Sequence, residues 1–221
     1  MNAGVLIPAY NEGRHIGDLV ARVQATGYPA LVIDDGSKDD TAKAARHAGA
    51  EVIILDSNQG KGAAIQVGFD WALERNFEAA LILDGDGQHD PAEIGRFIEA
   101  AQEEQVQLVL GNRLANPAGM PLIRLWTNRF MSWVLSRMCG QNLPDSQCGY
   151  RLVKRKVLEK IRLNYLRYDS DSELLMRIAR KGWIIASVPV RSIYAGSKSE
   201  INPVIDTLRW FRLLWRLSRT P

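Results

Sequence analysis

The sequence predicts an α/β fold, a mostly parallel central sheet with helices on both faces. Three observations carry that reading. Short apolar runs at 4–9, 30–37, 50–56, 79–84 and 106–111 alternate with stretches of helical periodicity. Their apolar parts are continuous and do not alternate with polar residues, as strands buried on both sides require. Each run also ends in a polar cluster, and in such sheets ligands gather beyond the carboxyl ends of the strands.

The elements follow in order. GVLIPA (4–9) is a strand, and the helix over 14–25 places Ile16, Leu19, Val20 and Val23 on one face. ALVIDDGS (30–37) is a second strand ending in acids, with Asp39 or Asp40 as the cap of the next helix. AEVIILD (50–56) is the third strand, and a helix over 61–75 opens after NQGKG. AALILD (79–84) is the fourth, Pro91 starts a helix at a favoured first-turn position, and VQLVLG (106–111) is the fifth. The second half is less regular. It holds one or two amphipathic helices over 121–138, a strand at GYRLVKR, a helix over 170–181, a strand at WIIASVPV and a last helix from about 203 to 218.

A chain of 221 residues suffices for one large α/β domain and is short for two. With 46% apolar residues, bulk disorder is not expected. The two cysteines, Cys139 and Cys148, fit a reducing compartment and exclude a disulfide scaffold. The start, MNAGVLIPAYNEG, has no basic leader and is broken by Pro8 and Asn11, so it does not read as a signal peptide. No run approaches the roughly 18 apolar residues of a membrane span. The net charge of +3 conceals a segregation: residues 1–111 hold 18 Asp/Glu against 8 Lys/Arg, residues 112–221 hold 7 against 20. That suggests a metal-holding half and a half that meets anions such as phosphates or lipid head groups. No nucleic-acid partner is expected.

The clusters PAYNE (8–12), DDGS (34–37), NQGKG (58–62), DGDGQH (84–89) and GNR (111–113) fall on one sheet edge and make one site. GKG at 60–62 is not a phosphate loop, because Leu55 stands where the first glycine belongs and Gly62 replaces the Ser/Thr. DGDGQH is not an EF-hand, since His89 and Gly95 occupy its obligatory Gly and Glu positions. No dinucleotide fingerprint, zinc spacing or nucleophile elbow occurs. What remains is Asp84-x-Asp86-x-Gln88, a hard-oxygen set suited to Mg²⁺ or Mn²⁺ with positions open for phosphate oxygens. A cation there would stabilise a departing nucleoside diphosphate.

Joined by DSQCGYRL (145–152) and GSKSEI (196–201), these motifs resemble glycosyltransferase family 2 over residues 3–205, in the family's order. The branch most similar contains dolichyl-phosphate mannose synthase and bacterial polyprenyl-phosphate glycosyltransferases. The resemblance implies a GT-A domain over 1–202, with a nucleotide and metal half (1–113) and an acceptor half (114–202), then an amphipathic helix over 203–221. It implies inverting transfer from a nucleotide sugar. Pro8, Tyr10 and Glu12 would frame the nucleoside pocket, with Asp35 near the ribose or base. Lys61 would approach the nucleotide, or stand as a solvated helix-start residue, and Lys198 would counter the diphosphate. Asp84 would lie by the ribose and the metal's water shell, with Asp86 and Gln88 as direct ligands. Arg113, Arg124 and Asn128 would face the acceptor, and His89 would pack or hydrogen-bond.

A sugar hydroxyl needs a general base, whereas a phosphate acceptor is already anionic and needs arginines. Arg113, Arg124 and Arg129 meet the second need, and Asp145 is the best candidate for the first. The expected protein is therefore a peripheral enzyme on the cytoplasmic membrane face that glycosylates a polyprenyl phosphate. Transfer to a hydroxyl of a lipid or secondary metabolite would make Asp145 the base. A sugar nucleotidyltransferase would want a Gly-rich basic loop after the first strand, and a membrane adaptor would have no use for the metal set. The tail DTLRWFRLLWRLSR (206–219) aligns Arg209, Arg212, Arg216 and Arg219 on one stripe, as an interfacial helix does, and 124–137 has the same character. With the chain stopping at Pro221, attachment is expected to be peripheral.

Overall fold

The continuous apolar runs become the centre of one sheet. The computed structural model describes residues 1–163, 170–193 and Leu214. Its strands are β1 (Ala3–Ala9), β2 (Ala30–Asp34), β3 (Glu51–Ile54), β4 (Ala79–Ile82), β5 (Val106–Asn112), β6 (Arg151–Lys154) and β7 (Ile184–Pro189). They lie side by side in the order β3–β2–β1–β4–β6–β5–β7. Every residue of β2 and β4 is buried, so the middle of the sheet is covered on both faces. The edge strands β3 and β7 are partly exposed.

The helices are α1 (Ile16–Gln24), α2 (Thr41–His47), α3 (Lys61–Glu74), α4 (Ile94–Ala100), α5 (Leu122–Cys139), α6 (Arg155–Lys160) and α7 (Ser170–Arg180). The expected face of α1 is the buried one: Ile16, Leu19, Val20 and Val23 all face the core. Each such side chain contributes about 1.5–3 kcal/mol when fully buried. Asp39 carries the start of α2, accepting from the Thr41 amide, while Asp40 at the cap position makes no side-chain bond. Asp90 caps a short 3₁₀ turn, Pro91–Glu93, that leads into α4. The stretch expected as one or two helices over 121–138 is one helix, Leu122–Cys139, and α6 is an element the sequence did not announce.

One departure from a plain parallel sheet places the site. β6 sits between β4 and β5 and runs antiparallel to both, whereas the other pairings are parallel. Arg151 at its amino end pairs with Ile82 and Leu110, so the segment before β6 meets the carboxyl ends of β4 and β5. The second half of the chain thus enters the edge where the first half gathers its acids. Lys198 and nearly all of 203–221 lie outside the described residues; Leu214 is helical and buried.

Candidate active site

A chain of alternating charges crosses the carboxyl edge of the sheet. Lys61 opens α3 directly after Gly60, whose φ of 98° is a conformation that favours glycine. Its Nζ lies 2.7 Å from Asp84 Oδ1 and 3.1 Å from Asp171 Oδ2 on α7. Asp171 Oδ1 in turn lies 3.1 Å from Arg151 Nη1. Arg151 is wholly buried, and its Nε and Nη2 donate to the carbonyls of Cys148 and Ser146 at 2.7 and 2.9 Å. Burial by itself would lower the pKa of Lys61, but Asp171 and Asp84 outweigh it and hold the ammonium charged. Burial likewise pushes Asp84 up, but Lys61 foremost brings it down to about 2. The structure therefore gives Asp84 a lysine partner on one oxygen, and Lys61 is a largely enclosed ion-pair partner in place of a solvated residue.

Gly149 is the floor under Asp84. A Cβ there would stand 1.9 Å from Asp84 Oδ2, so no side chain fits unless the carboxylate swings off Lys61. Gly149→Ala is expected to leave the protein folded and to cut turnover about a hundredfold, the scale of an ångström-sized misplacement. Steady-state rates with a parallel melting curve check this.

Asp86 stands on the open side. Its Oδ1 accepts from the Gln88 amide at 3.0 Å. Burial first, and then the neighbouring charge of Asp84, raise its pKa. Burial and then Asp86 do the same to Glu12. Arg124, on α5, lies close enough for its charge to ease Asp86. Three carboxylates thus converge on a region with too little positive charge, and Asp86 and Gln88 offer the oxygen donors a hard cation prefers. The described residues contain no group of three Asp, Glu, His or Cys able to hold a metal by themselves. A cation would need donor phosphates or water to complete its shell, which is the mode usual for Mg²⁺.

The remaining expected residues divide. Pro8 is the last residue but one of β1, and Tyr10 follows the strand with its side chain exposed. Asp35 is buried and accepts from the Gln59 and Gly60 amides at 2.7 and 2.8 Å. Its oxygens hold the loop before α3, so it shapes the pocket. Asp34 accepts from the Ser37 amide at 2.8 Å. His89 is buried with its ring 5.2 Å from that of Tyr150, and burial lowers its pKa to about 4, so it packs as a neutral imidazole.

Asp145 and Arg113 differ most from the sequence reading. Asp145 is 0% exposed and accepts from the Arg113 amide, Nε and Nη2 at 3.0, 2.8 and 2.9 Å. A carboxylate gripped this way is not an open general base, and it engages two of the donors of the Arg113 guanidinium. Asn128 is buried on the inner side of α5, and its Nδ2 meets no partner among the described residues. One turn on, Ser132 Oγ accepts from the Ser146 amide at 2.9 Å and ties α5 to the segment before β6.

The model of the family described as glycosyl transferase family 2 matches residues 4–162. The chain belongs to glycosyltransferase family 2. It is 32% identical over 237 residues to the UDP-N-acetylglucosamine–dolichyl-phosphate N-acetylglucosaminyltransferase of Methanococcus voltae, across 96% of this chain and 93% of that one. It is 33% identical over 205 residues to the polyprenol monophosphomannose synthase of Mycolicibacterium smegmatis, across 84% and 75% of the two chains. The fold is GT-A. A glucosyl-3-phosphoglycerate synthase from Mycobacterium tuberculosis, solved with Mn²⁺, UDP-glucose and phosphoglyceric acid, superposes with a TM-score of 0.78 at 20% identity, over 100% of this chain and 80% of that one.

For this glycosyltransferase the sequence pointed to the local cluster 84–88 and missed Asp171, Arg151 and Gly149 as its supports. Asp171 lies 110 positions from Lys61. Only the preference of a buried lysine for a second acid hinted at such a partner, and nothing in the sequence said which acid.

Proposed function

We propose that this family 2 glycosyltransferase moves a sugar, with inversion, from a nucleotide-sugar donor to a polyprenyl phosphate at the cytoplasmic face of a membrane. The observation that carries the reading is the state of Asp145. On the acceptor side the carboxylate best placed to be a base is sealed against Arg113, while Arg124 and Asn128 remain on the inner side of α5. An acceptor that arrives ionised suits that arrangement, because it needs cationic and N–H donors and no base. The names of the relatives from Methanococcus voltae and Mycolicibacterium smegmatis, with their dolichyl-phosphate and polyprenol acceptors, support it. No described helix is long and apolar enough to cross a membrane.

In this reading an acceptor phosphate oxygen forms a bond to the anomeric carbon from the side opposite the diphosphate. The bond from that carbon to the donor's phosphate oxygen breaks, and its electron pair leaves with the nucleoside diphosphate. No proton need move. Pro8, Tyr10 and Glu12 border the nucleoside, and the loop held by Asp35 closes its edge. Asp86 and Gln88 would hold a Mg²⁺ or Mn²⁺ ion, which would supply positive charge to the departing diphosphate. Lys61, locked by Asp84 and Asp171, keeps a fixed positive charge at this edge of the sheet, and Lys198 would add a second from outside the described residues.

Release of nucleoside diphosphate from GDP-mannose, UDP-glucose and UDP-N-acetylglucosamine, each with a short-chain prenyl phosphate and Mn²⁺, tests the proposal. Transfer to the matching prenyl alcohol, with none to the phosphate, would overturn it. Arg124→Ala should raise the KM for the phosphate roughly tenfold to a hundredfold, the scale of one charge-assisted contact, and leave donor affinity nearly unchanged. An equal loss for the donor would move Arg124 into the nucleotide pocket.

A further inference from the structure

His89 stands at the end of the loop that carries Asp84, Asp86 and Gln88, and the reaction above gives it no task. Its ring is buried and stacked, 5.2 Å from the ring of Tyr150, which lies 4.2 Å from that of Phe97. Nε2 is 4.0 Å from Asp84 Oδ2. Nδ1 is buried and meets no hydrogen-bond partner. Native interiors leave few polar atoms in that state. Among the described residues there are five such side-chain atoms, and a second of them, Ser192 Oγ, sits opposite the first. His89 and Ser192 face each other as an antiparallel bridge pair, which puts their Cβ atoms on one side, about 4.5–5.5 Å apart. Ser192 is also held from both flanks. The Arg191 amide donates to a Glu93 carboxylate oxygen at 3.2 Å, and the Ile193 amide donates to the Gln88 carbonyl at 2.9 Å.

A neutral imidazole carries its proton on one nitrogen and offers the other as an acceptor. Asp84 decides between the two forms. With the proton on Nδ1, the lone pair of Nε2 would stand beside the Asp84 carboxylate and repel it. With the proton on Nε2, an N–H stands beside Oδ2, and Nδ1 becomes an acceptor that needs a donor. Tyr150 is not that donor, because its hydroxyl donates to the Asp90 carbonyl at 3.3 Å. The hydroxyl of Ser192 is the donor at hand, directly after a turn about its χ1 or through one buried water.

We propose that Ser192 fixes His89 as the tautomer protonated on Nε2, and that the two are positioning residues for Asp84. This rests on the proposed reaction, in which Asp84 locks the charge of Lys61. Asp84 is then steadied on every side: Lys61 Nζ lies 2.7 Å from Oδ1, the His89 N–H stands by Oδ2, and Gly149 forms the floor. A carboxylate held in this way keeps its distance from Asp86, so the inward and outward duties of the two acids stay separate. The short segment after β7 gains a task as well. It joins the end of β5, where the Val190 amide donates to the Asn112 carbonyl at 3.1 Å, to the loop after β4.

Nitrogen NMR of the full chain, labelled at histidine, reads the tautomer. The chain has three histidines, and the signals lost in His89→Gln assign this ring. Wild type should show a protonated Nε2 and a bare, hydrogen-bonded Nδ1. Ser192→Ala should shift Nδ1 to the position of a nitrogen without a donor, or mix the tautomers. Turnover of a nucleotide sugar with a short-chain prenyl phosphate gives a second reading. Glutamine carries its amide nitrogen near the place of Nε2, and asparagine near that of Nδ1. His89→Gln should therefore keep most of kcat. His89→Asn should lose kcat roughly tenfold to a hundredfold at unchanged donor KM, the range for partners that orient the groups of a site. A protonated Nδ1 in wild type, or a spectrum untouched by Ser192→Ala, would overturn the inference. So would equal losses in the Gln and Asn variants with wild-type melting curves, since a ring that only fills space would not tell them apart. If His89→Asn melts early, the kcat of His89→Gln and the two spectra decide. A wild type that leaves the prenyl phosphate unused would strike the acceptor reading, and the spectra would then decide the tautomer by themselves.

Discussion

Arg113→Ala is expected to destabilise the protein by about 3–5 kcal/mol, the cost of leaving one member of a buried ion pair alone. Asp145 has no exposed surface, and two of its three hydrogen bonds come from the Arg113 side chain. Truncating the arginine leaves a buried carboxylate holding only the residue-113 amide. For a chain of this length the melting temperature should fall on the order of 10 °C. Arg113→Lys should recover only part of it, because an ammonium cannot reproduce the two-pronged guanidinium contact. Arg113→Met combined with Asp145→Leu should recover most of it, since apolar replacement of both partners removes the stranded charge. Chemical denaturation of the four proteins checks the series. An alanine variant that melts like wild type but no longer uses the acceptor would make Arg113 an acceptor contact after all, and the pair incidental.

That case shows where the sequence was legible and where it was not. Local pattern was readable. The unbroken apolar runs of β1, β2 and β4 foretold a sheet covered on both faces, and the spacing of Ile16, Leu19, Val20 and Val23 foretold the inner stripe of α1. Pairing at a distance was not. GYRLVKR reads as a strand, but no property of those residues says that it inserts antiparallel between β4 and β5. Without that insertion there is no reason for Gly149 to lie under Asp84. Arg113 and Asp145 were both picked out, each for its own charge, and were assigned separate duties. Their separation of 32 positions hides that each neutralises the other.

The cluster at 84–88 was legible for the opposite reason. It is local, and like charges crowded at the end of a buried strand announce an unmet need for a cation without any knowledge of the fold. What the fold adds is a division of labour, with Asp84 turned inward to Lys61 and Asp86 left outward beside Glu12 and Arg124.

On the proposed function, that division makes Asp86→Ala the substitution with the largest expected effect on activity, a loss on the order of a thousandfold or more with the fold intact, since it would remove a ligand of the cation proposed to stabilise the leaving group. Stability should move the other way. Burial, and then Asp84, raise the carboxyl of Asp86 above its ordinary range, so the folded chain holds that proton more tightly than the unfolded chain does. The ionised carboxylate therefore subtracts stability at neutral pH, and the penalty fades as pH falls through the carboxylate range to where both states are protonated. Without added cation, the alanine variant should melt higher than wild type at neutral pH, and the gap should close in acid. With Mn²⁺ the order should reverse, because only wild type gains the stabilisation that ligand binding confers on the folded state. Melting curves at two pH values, each with and without Mn²⁺, read all of this independently of turnover. Near-normal turnover in the variant, or equal stabilisation of both proteins by Mn²⁺, would take the cation away from Asp86 and return the acids at this edge to a purely structural role.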